Sequence, residues 1–238
     1  MPAQLSLTDI TIDVVFKPIK NVHLSVHPPD GHVRISAPGK MALDTIRVYA
    51  ITRLEWIRRQ RRRILAQARE TARDYVDRES HYVWGKRYLL KVVEIEVAPS
   101  IELRHSEAVL ATRPGTSTER REAILAAWYR DQVRRATMPL IAKWEPRLGV
   151  SLDRLFVQRM KTRWGSCNPL RRSIRLNTEL AKKPPECLEY IVVHELAHLL
   201  VPNHNERFHG ILDASLPGWR QTRQTLNSAP LAHEAWTL

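Results

Sequence analysis

Two hydrophobic patterns follow each other along the first part of the chain. Near residues 11–17, 23–27 and 32–38, apolar and polar side chains alternate one by one, as they do in β-strands with one buried face. From Leu43 to about Val76 the apolar residues instead recur every three or four positions. The pattern therefore predicts a small antiparallel sheet followed by one long amphipathic helix.

Strand signals return over residues 81–97, where Gly85 with Lys86 supplies a hairpin turn. A second long helix is predicted to begin at a capping box formed by Thr116 and Glu119, three residues apart. Because the pattern changes from strands to a long helix here, we expect a domain boundary between the two.

The rest of the chain predicts helices separated by two short strands, over residues 152–160 and 173–180. Two prolines before Glu186 favour a helix start there, since proline is tolerated in the first turn of a helix. We expect an α+β protein with two domains. Residues 1–114 would hold the antiparallel sheet and the long basic helix, and residues 115–238 would form the catalytic domain.

Composition narrows the classes of function. The chain has 238 residues, of which 43% are hydrophobic, enough for a sizeable core. No apolar run approaches the ~20 residues that a membrane-spanning helix requires. The N-terminal residues also lack the basic and apolar regions of a signal peptide. We therefore expect a cytoplasmic protein that does not cross a membrane.

The chain is strongly basic, with a formal net charge of +13. This charge permits nucleic-acid association through a basic surface, although a solvated helix face explains the arginine run from Arg58 to Arg63 more simply. Cys167 and Cys187 form no C-x-x-C pair, so they predict two packed thiols rather than a thiolate zinc site.

The residues His194, Glu195 and His198 form an H-E-x-x-H motif inside a nearly all-apolar helical segment. Imidazoles at positions i and i+4 project from the same helix face, where they can bind one ion. Glu195 lies at the edge of that face, so its carboxylate can reach an attacking water as a general base. Hydrogen-bonded structural histidines are the simpler reading, but three such polar groups are costly in a buried helix unless they have a function.

A catalytic zinc site uses three protein ligands, so a third donor should follow the motif. His204 is the leading candidate, because Pro202 turns the chain and brings back a histidine six positions after the second one. His209, Glu206 and Asp213 are the alternatives, with His209 also a candidate for substrate binding.

Several linked motifs resemble those of the YgjP-like metallopeptidases, a family related to the WLM and SprT-type zincins. They are R-W-G-S-C at Arg163–Cys167, the strand end with Leu176, Asn177 and Leu180, the helix over residues 190–198, and Asn203, His204 and Asn205 with Phe208 downstream. The N-terminal sheet and both long helices also look like the family, so the resemblance covers most of the chain. Many members carry tryptophan where this chain has His209, which leaves the role of His209 open.

The resemblance implies a zincin-like catalytic domain that binds Zn²⁺ through His194, His198 and His204. It also implies that Glu195 is the catalytic acid and base. From the residues alone, Arg163 is our choice for stabilising the oxyanion.

Arg159 and Lys161, on or after the strand that precedes the site, are the other candidates for the oxyanion. The strand over Phe156–Met160 could in addition present an edge to an extended peptide.

We therefore expect a zinc-dependent metallopeptidase that acts on proteins or peptides. One alternative is a metal-dependent nucleotide pyrophosphohydrolase, although a three-histidine site suits zinc better than the oxygen-liganded Mg²⁺ of triphosphate chemistry. The other is a nucleic-acid-associated protein whose zinc site acts on DNA-bound proteins.

Overall fold

The computed structural model describes residues 3–27, 30–66, 74–160 and 163–228. These residues form eleven β-strands and six α-helices, as expected for an α+β protein. They divide into two compact units, the first ending before residue 73 and the second beginning there. Each unit is described by itself.

The first unit contains one four-stranded sheet followed by two helices. Its elements are β1 (Ala3–Leu7), β2 (Ile10–Lys17), β3 (His23–His27), β4 (His32–Pro38), α1 (Leu43–Thr52) and α2 (Leu54–Ala66). The strand order is β1-β2-β4-β3. Alternate residues of β2 and β4, such as Ile12 and Ile35, pack in one core with Ile46 and Ile57 from the helices.

The expected antiparallel sheet is in fact mixed. Strands β1 and β3 pair antiparallel with β2 and β4, but β2 and β4 run parallel to each other. The reason is the connection between β2 and β3, which carries β3 to the edge of the sheet. Strand β3 therefore pairs with β4 alone, and β2 meets β4 in the same direction.

The predicted long helix is divided at Arg53 into α1 and α2. The Thr52 hydroxyl donates a hydrogen bond to the Tyr49 carbonyl at 2.8 Å, a side-chain bond that competes with helix geometry. Residues 67–73 of the predicted helix lie outside the described residues, and residues 74–76, its predicted end, are not helical. Arg58, in the arginine run, pairs with Asp9 and Glu55 and is thereby partly neutralised.

The second unit contains a four-stranded sheet, a three-stranded sheet and four helices. Its strands are β5 (Ser80–Val83), β6 (Lys86–Glu94), β7 (Ser100–Arg104), β8 (Glu107–Thr112), β9 (Arg154–Gln158), β10 (Gly165–Asn168) and β11 (Ser173–Asn177). Its helices are α3 (Thr118–Leu148), α4 (Pro185–Ala197), α5 (Glu206–Ser215) and α6 (Trp219–Ser228), with short 3-10 helices at Pro169–Arg171 and Thr178–Lys182.

The second unit's larger sheet repeats the topology of the first unit's sheet. Its order is β5-β6-β8-β7, with β6 and β8 parallel and the outer pairs antiparallel. Leu90 and Leu110 of this sheet share one core with Leu125 of α3 and Val192 of α4. The expected boundary between residues 114 and 115 therefore falls inside the second unit, because sheet and helix bury their apolar faces together.

The smaller sheet has the order β10-β11-β9 and lies beside α4. Helix α3 is capped by Ser117, whose side chain accepts from the Arg120 N–H, rather than by the predicted Thr116. Among the described helices, none is long and apolar enough to span a membrane.

Two other segments, the turn between β5 and β6 and helix α3, form hydrogen bonds that position helix α4. The turn between β5 and β6 has positive φ at both Trp84 and Gly85, and its backbone N–H groups donate to the Ala181 and Lys182 carbonyls just before α4. From α3, Trp144 and Lys143 bind the Glu189 carboxylate at 2.9 and 2.6 Å. These contacts fix the helix that carries the H-E-x-x-H motif.

Candidate active site

Three histidine side chains converge at the end of α4. His194 lies in the last turn of the helix, His198 is its C-cap, and His204 comes from the loop before α5. The His204 Nε2 atom is 3.1 Å from Nε2 of His194 and 3.1 Å from Nε2 of His198. A tetrahedral zinc ion with Zn–N distances of ~2.0–2.1 Å separates its nitrogen ligands by about 3.3 Å. The three donors therefore fit a single zinc ion.

The orientation of these rings depends on the residues around them. His198 Nδ1 is 3.1 Å from the Val201 carbonyl, which favours the tautomer with a proton on Nδ1 and a lone pair on Nε2. The buried Phe208 ring contacts all three imidazoles, with centroid distances of 4.6–5.0 Å. Phe208 is held in turn by its own N–H, which donates to the Asn205 side chain that caps α5.

The electrostatics of the cluster favour neutral imidazoles. Burial lowers the pKa of His194 to about 3, and the charges of His198, His204 and Arg223 act in the same direction. Burial also lowers the pKa of His204, and the neighbouring charges add to this effect. A neutral imidazole keeps a lone pair for a metal ion, whereas a protonated one cannot bind it. Both rings are therefore in the metal-binding form at neutral pH.

Glu195 directly follows His194 in α4 and is buried, with 5% of its surface exposed. Burial raises the pKa of Glu195 to about 8, while the positive charge of Arg163 opposes this rise. A divalent cation nearby would also favour the charged carboxylate. The Glu195 carboxyl group is therefore protonated more readily than a free glutamate, and nearby positive charge opposes that protonation.

Strand β10 packs closely against the side chain of Glu195. A Cβ atom on Gly165 would lie 2.5 Å from Glu195 Oε1 and 2.8 Å from its Cγ. Only a residue without a side chain leaves room for this packing. The sequence predicts strands in this region only over residues 152–160 and 173–180, and Gly165 falls between them; glycine and asparagine are depleted in strands.

The buried Asn177 side chain organises the segment that precedes β10. It accepts from the Met160 and Glu179 N–H groups and donates to the Met160 and Arg163 carbonyls, at 2.7–3.3 Å. The Asn177 N–H also donates to the Trp164 carbonyl. Asn177 therefore fixes the backbone on both sides of residues 161 and 162.

The three residues considered for stabilising the oxyanion differ in their surroundings. Arg163 is exposed and close enough to Glu195 to influence its pKa. Arg159 lies 3.9 Å from Glu122 of α3, and Lys161 lies outside the described residues. The Lys183 Nζ atom lies over the Trp164 ring, 5.7 Å from the ring centroid.

The alternative third ligands lie outside the three-nitrogen group. Asp213 binds Arg220 and accepts from Trp219 Nε1 at 2.8 Å. The His209 ring lies parallel to Trp219, with centroids 5.8 Å apart. Glu206 is exposed in the first turn of α5. Within the part of the chain that the structure describes, His194, His198 and His204 are the group suited to share an ion.

Two features of the site escaped the sequence analysis. One is the contact of the Phe208 ring with all three imidazoles, since Phe208 was named only as a residue of the family motif. The other is helix α6, which places Trp219 and Arg223 near the histidines. Its apolar positions, Trp219 and Leu226, are too few to predict an amphipathic helix. Cys167 matches the expected packed thiol: burial, aided by the Glu195 charge, raises its pKa to about 11.

The sequence profile of the YgjP-like metallopeptidase domain matches residues 20–229. Comparison with curated proteins gives no match. The solved structures that are similar to part of the chain include two metallopeptidase zymogens.

The first is jannalysin of Methanocaldococcus jannaschii, 22% identical, covering 41% of this chain and 92% of its own, with a TM-score of 0.31. The second is abylysin of Pyrococcus abyssi, which is 19% identical. The match covers 41% of this chain and 90% of the abylysin chain, with a TM-score of 0.33.

Proposed function

The chain belongs to the YgjP-like metallopeptidase family, and from that premise we propose that it hydrolyses peptide bonds with one Zn²⁺ held by His194, His198 and His204. The observation that carries the proposal is the convergence of three Nε2 atoms, together with the buried Glu195 next to His194 in the chain. Imidazole nitrogens are ligands that zinc prefers, and three of them leave a position open for catalysis. The catalytic domain is then zincin-like.

When bound, zinc supplies Lewis acidity, which lowers the pKa of water and polarises a carbonyl group. Glu195 takes the proton of the attacking water and later delivers it to the leaving amine. Its burial suits this task, because a raised pKa makes the carboxyl group able to hold the proton between the two transfers. Arg163 places a positive charge at the same carboxylate and at the developing oxyanion.

We further propose that strand β10 binds the substrate in an extended conformation. Strand β10 pairs with β11 on one side, and no described strand pairs with its other edge. Because Gly165 contacts Glu195, a peptide added to this edge would lie beside the catalytic carboxylate. The strand named by the sequence analysis, over Phe156–Met160, is the opposite edge of the same sheet.

The alternative functions have less support. Triphosphate hydrolysis would employ oxygen ligands for Mg²⁺, whereas the converging donors here are three nitrogens. The family match names a metallopeptidase, and nothing in the comparisons supports nucleic-acid association.

Cleavage of an unfolded protein by the zinc-loaded chain tests the proposal. We expect Glu195→Gln to lower kcat/KM by about 10²–10⁴-fold, because the variant cannot accept the water proton. Glu206→Gln removes an exposed carboxylate of α5 and serves as the matched control, with unchanged activity. Full activity of Glu195→Gln, or activity that persists after complete chelation of the metal, would contradict the proposal.

A further inference from the structure

A pocket of about 320 Å³ opens beside the histidine cluster. Two of the three clustered histidines, together with residues of α4, α5 and α6, form its lining: Tyr190, His194, His204, Phe208, His209, Leu212, Trp219 and Arg223. Its volume is at the lower end for ligand pockets and suits a single amino-acid residue rather than a large cofactor. A substrate residue in this pocket would lie next to the bond being cleaved.

The walls of the pocket are aromatic and ordered by mutual stacking. The rings of Tyr190 and His209 each lie at 11° to the plane of Trp219, with centroid distances of 6.0 and 5.8 Å. Trp219 is fixed further by its indole N–H, which donates to Asp213. These contacts give the pocket a preformed shape, so little ordering is required when a ligand binds.

Arg223 is the only arginine among the lining residues, which include no lysine, aspartate or glutamate. Its neighbour on α6, Arg220, is neutralised by Asp213, but Arg223 has no ion-pair partner among the described residues. Its charge nevertheless reaches into the pocket, since it lowers the pKa of Tyr190 against the rise caused by burial. The pocket therefore combines aromatic walls with one cation that has no ion-pair partner among the described residues.

We propose that this pocket binds a carboxylate of the substrate and that Arg223 is the specificity-determining residue that holds it. The proposal rests on the proposed peptidase function and names the substrate class of that site. A guanidinium group offers two parallel N–H donors that match the two oxygens of a carboxylate. In a peptide, the carboxylate belongs either to the chain terminus or to an aspartate or glutamate side chain.

Binding of matched short peptides to the zinc-loaded protein tests the proposal. The Glu195→Gln background prevents cleavage, so calorimetry reports affinity alone. One arm compares each peptide with its C-terminal amide, and the other compares an internal glutamate with glutamine. We expect one arm to show about a tenfold preference for the carboxylate, which identifies its source.

Three further substitutions in the same background assign this preference to the pocket. We expect Arg223→Gln to abolish the preference and Arg223→Lys to retain part of it. Arg207→Gln, which removes an exposed charge of α5 outside the pocket lining, should leave it unchanged. A carboxylate preference that survives Arg223→Gln would mean that the metal or another group binds the anion, and would overturn the proposal.

The two proposals fail in distinguishable ways. Equal affinity for acid and neutral peptides in both arms, with cleavage intact in the unmodified enzyme, rejects the role of Arg223 alone. An Arg223-dependent preference in a protein that cleaves no peptide retains this binding pocket and rejects the peptidase function.

Discussion

The contact between Gly165 and Glu195 makes Gly165→Ala a sharp test of the active-site geometry. A Cβ at residue 165 would lie 2.5, 2.8 and 2.9 Å from Oε1, Cγ and Cδ of Glu195. Ordinary carbon contacts lie at about 3.5–4.0 Å, so the carboxylate or the strand must move by roughly 1 Å. Gly165 does not have a positive φ, so the substitution changes space and not backbone strain.

The magnitude follows from this displacement. Overpacking of this kind costs ~1–3 kcal/mol of stability, and a 1 Å misplacement of a catalytic group costs ~10²-fold in rate. We therefore expect Gly165→Ala to keep its zinc, to unfold at slightly lower denaturant concentration, and to lose about 10²-fold in kcat/KM. The assay is peptide cleavage, with zinc content and unfolding measured on the same preparation.

Gly210→Ala is the matched control for this substitution. A Cβ there would meet nothing within 4 Å, and alanine is the better helix former in α5. Its activity should equal that of the unmodified protein. If Gly165→Ala were equally active with full zinc content, the packing of Glu195 against β10 would not be part of the active site, and our reasoning would be refuted.

Two further substitutions test the support around the site. Asn177→Ala removes four side-chain hydrogen bonds. We expect urea unfolding to show a free energy of unfolding lower by ~2–4 kcal/mol, and peptide cleavage to fall. Unchanged stability would disprove this role of Asn177. Phe208→Leu replaces the flat ring that contacts all three imidazoles. We expect it to lower the free energy of unfolding by about 1–1.5 kcal/mol. It should also weaken zinc affinity, measured by a competition titration with a chelator. Equal zinc affinity would show that the ring does not orient the ligands.

The positions of the clustered histidines could be inferred because they depend on local rules. Helical periodicity alone puts His194 and His198 on one face, and Pro202 requires the turn that returns His204 to them. The strand and helix types of most elements were predicted for the same reason, since apolar periodicity is a local signal. Arg163 was a candidate because it follows the strand that precedes the site, and its charge does reach Glu195.

The features that were not predicted depend on contacts between distant segments. Strand β10 exists because it pairs with β11 and lies beside α4, not because Gly165 or Ser166 favour strands. The parallel pairing of β2 with β4 depends on the path of a connection, which alternating polarity does not reveal. The repeated sheet topology was likewise hidden, since the same strand order can be built from dissimilar residues.

Metal analysis of the purified chain, after zinc loading and dialysis, tests the central claim most directly. The account predicts one zinc ion per chain for the unmodified protein and for Glu195→Gln, and much less than one for His204→Ala. A His204→Ala variant that keeps a full equivalent of zinc, or an unmodified chain that retains none, would contradict the three-histidine centre.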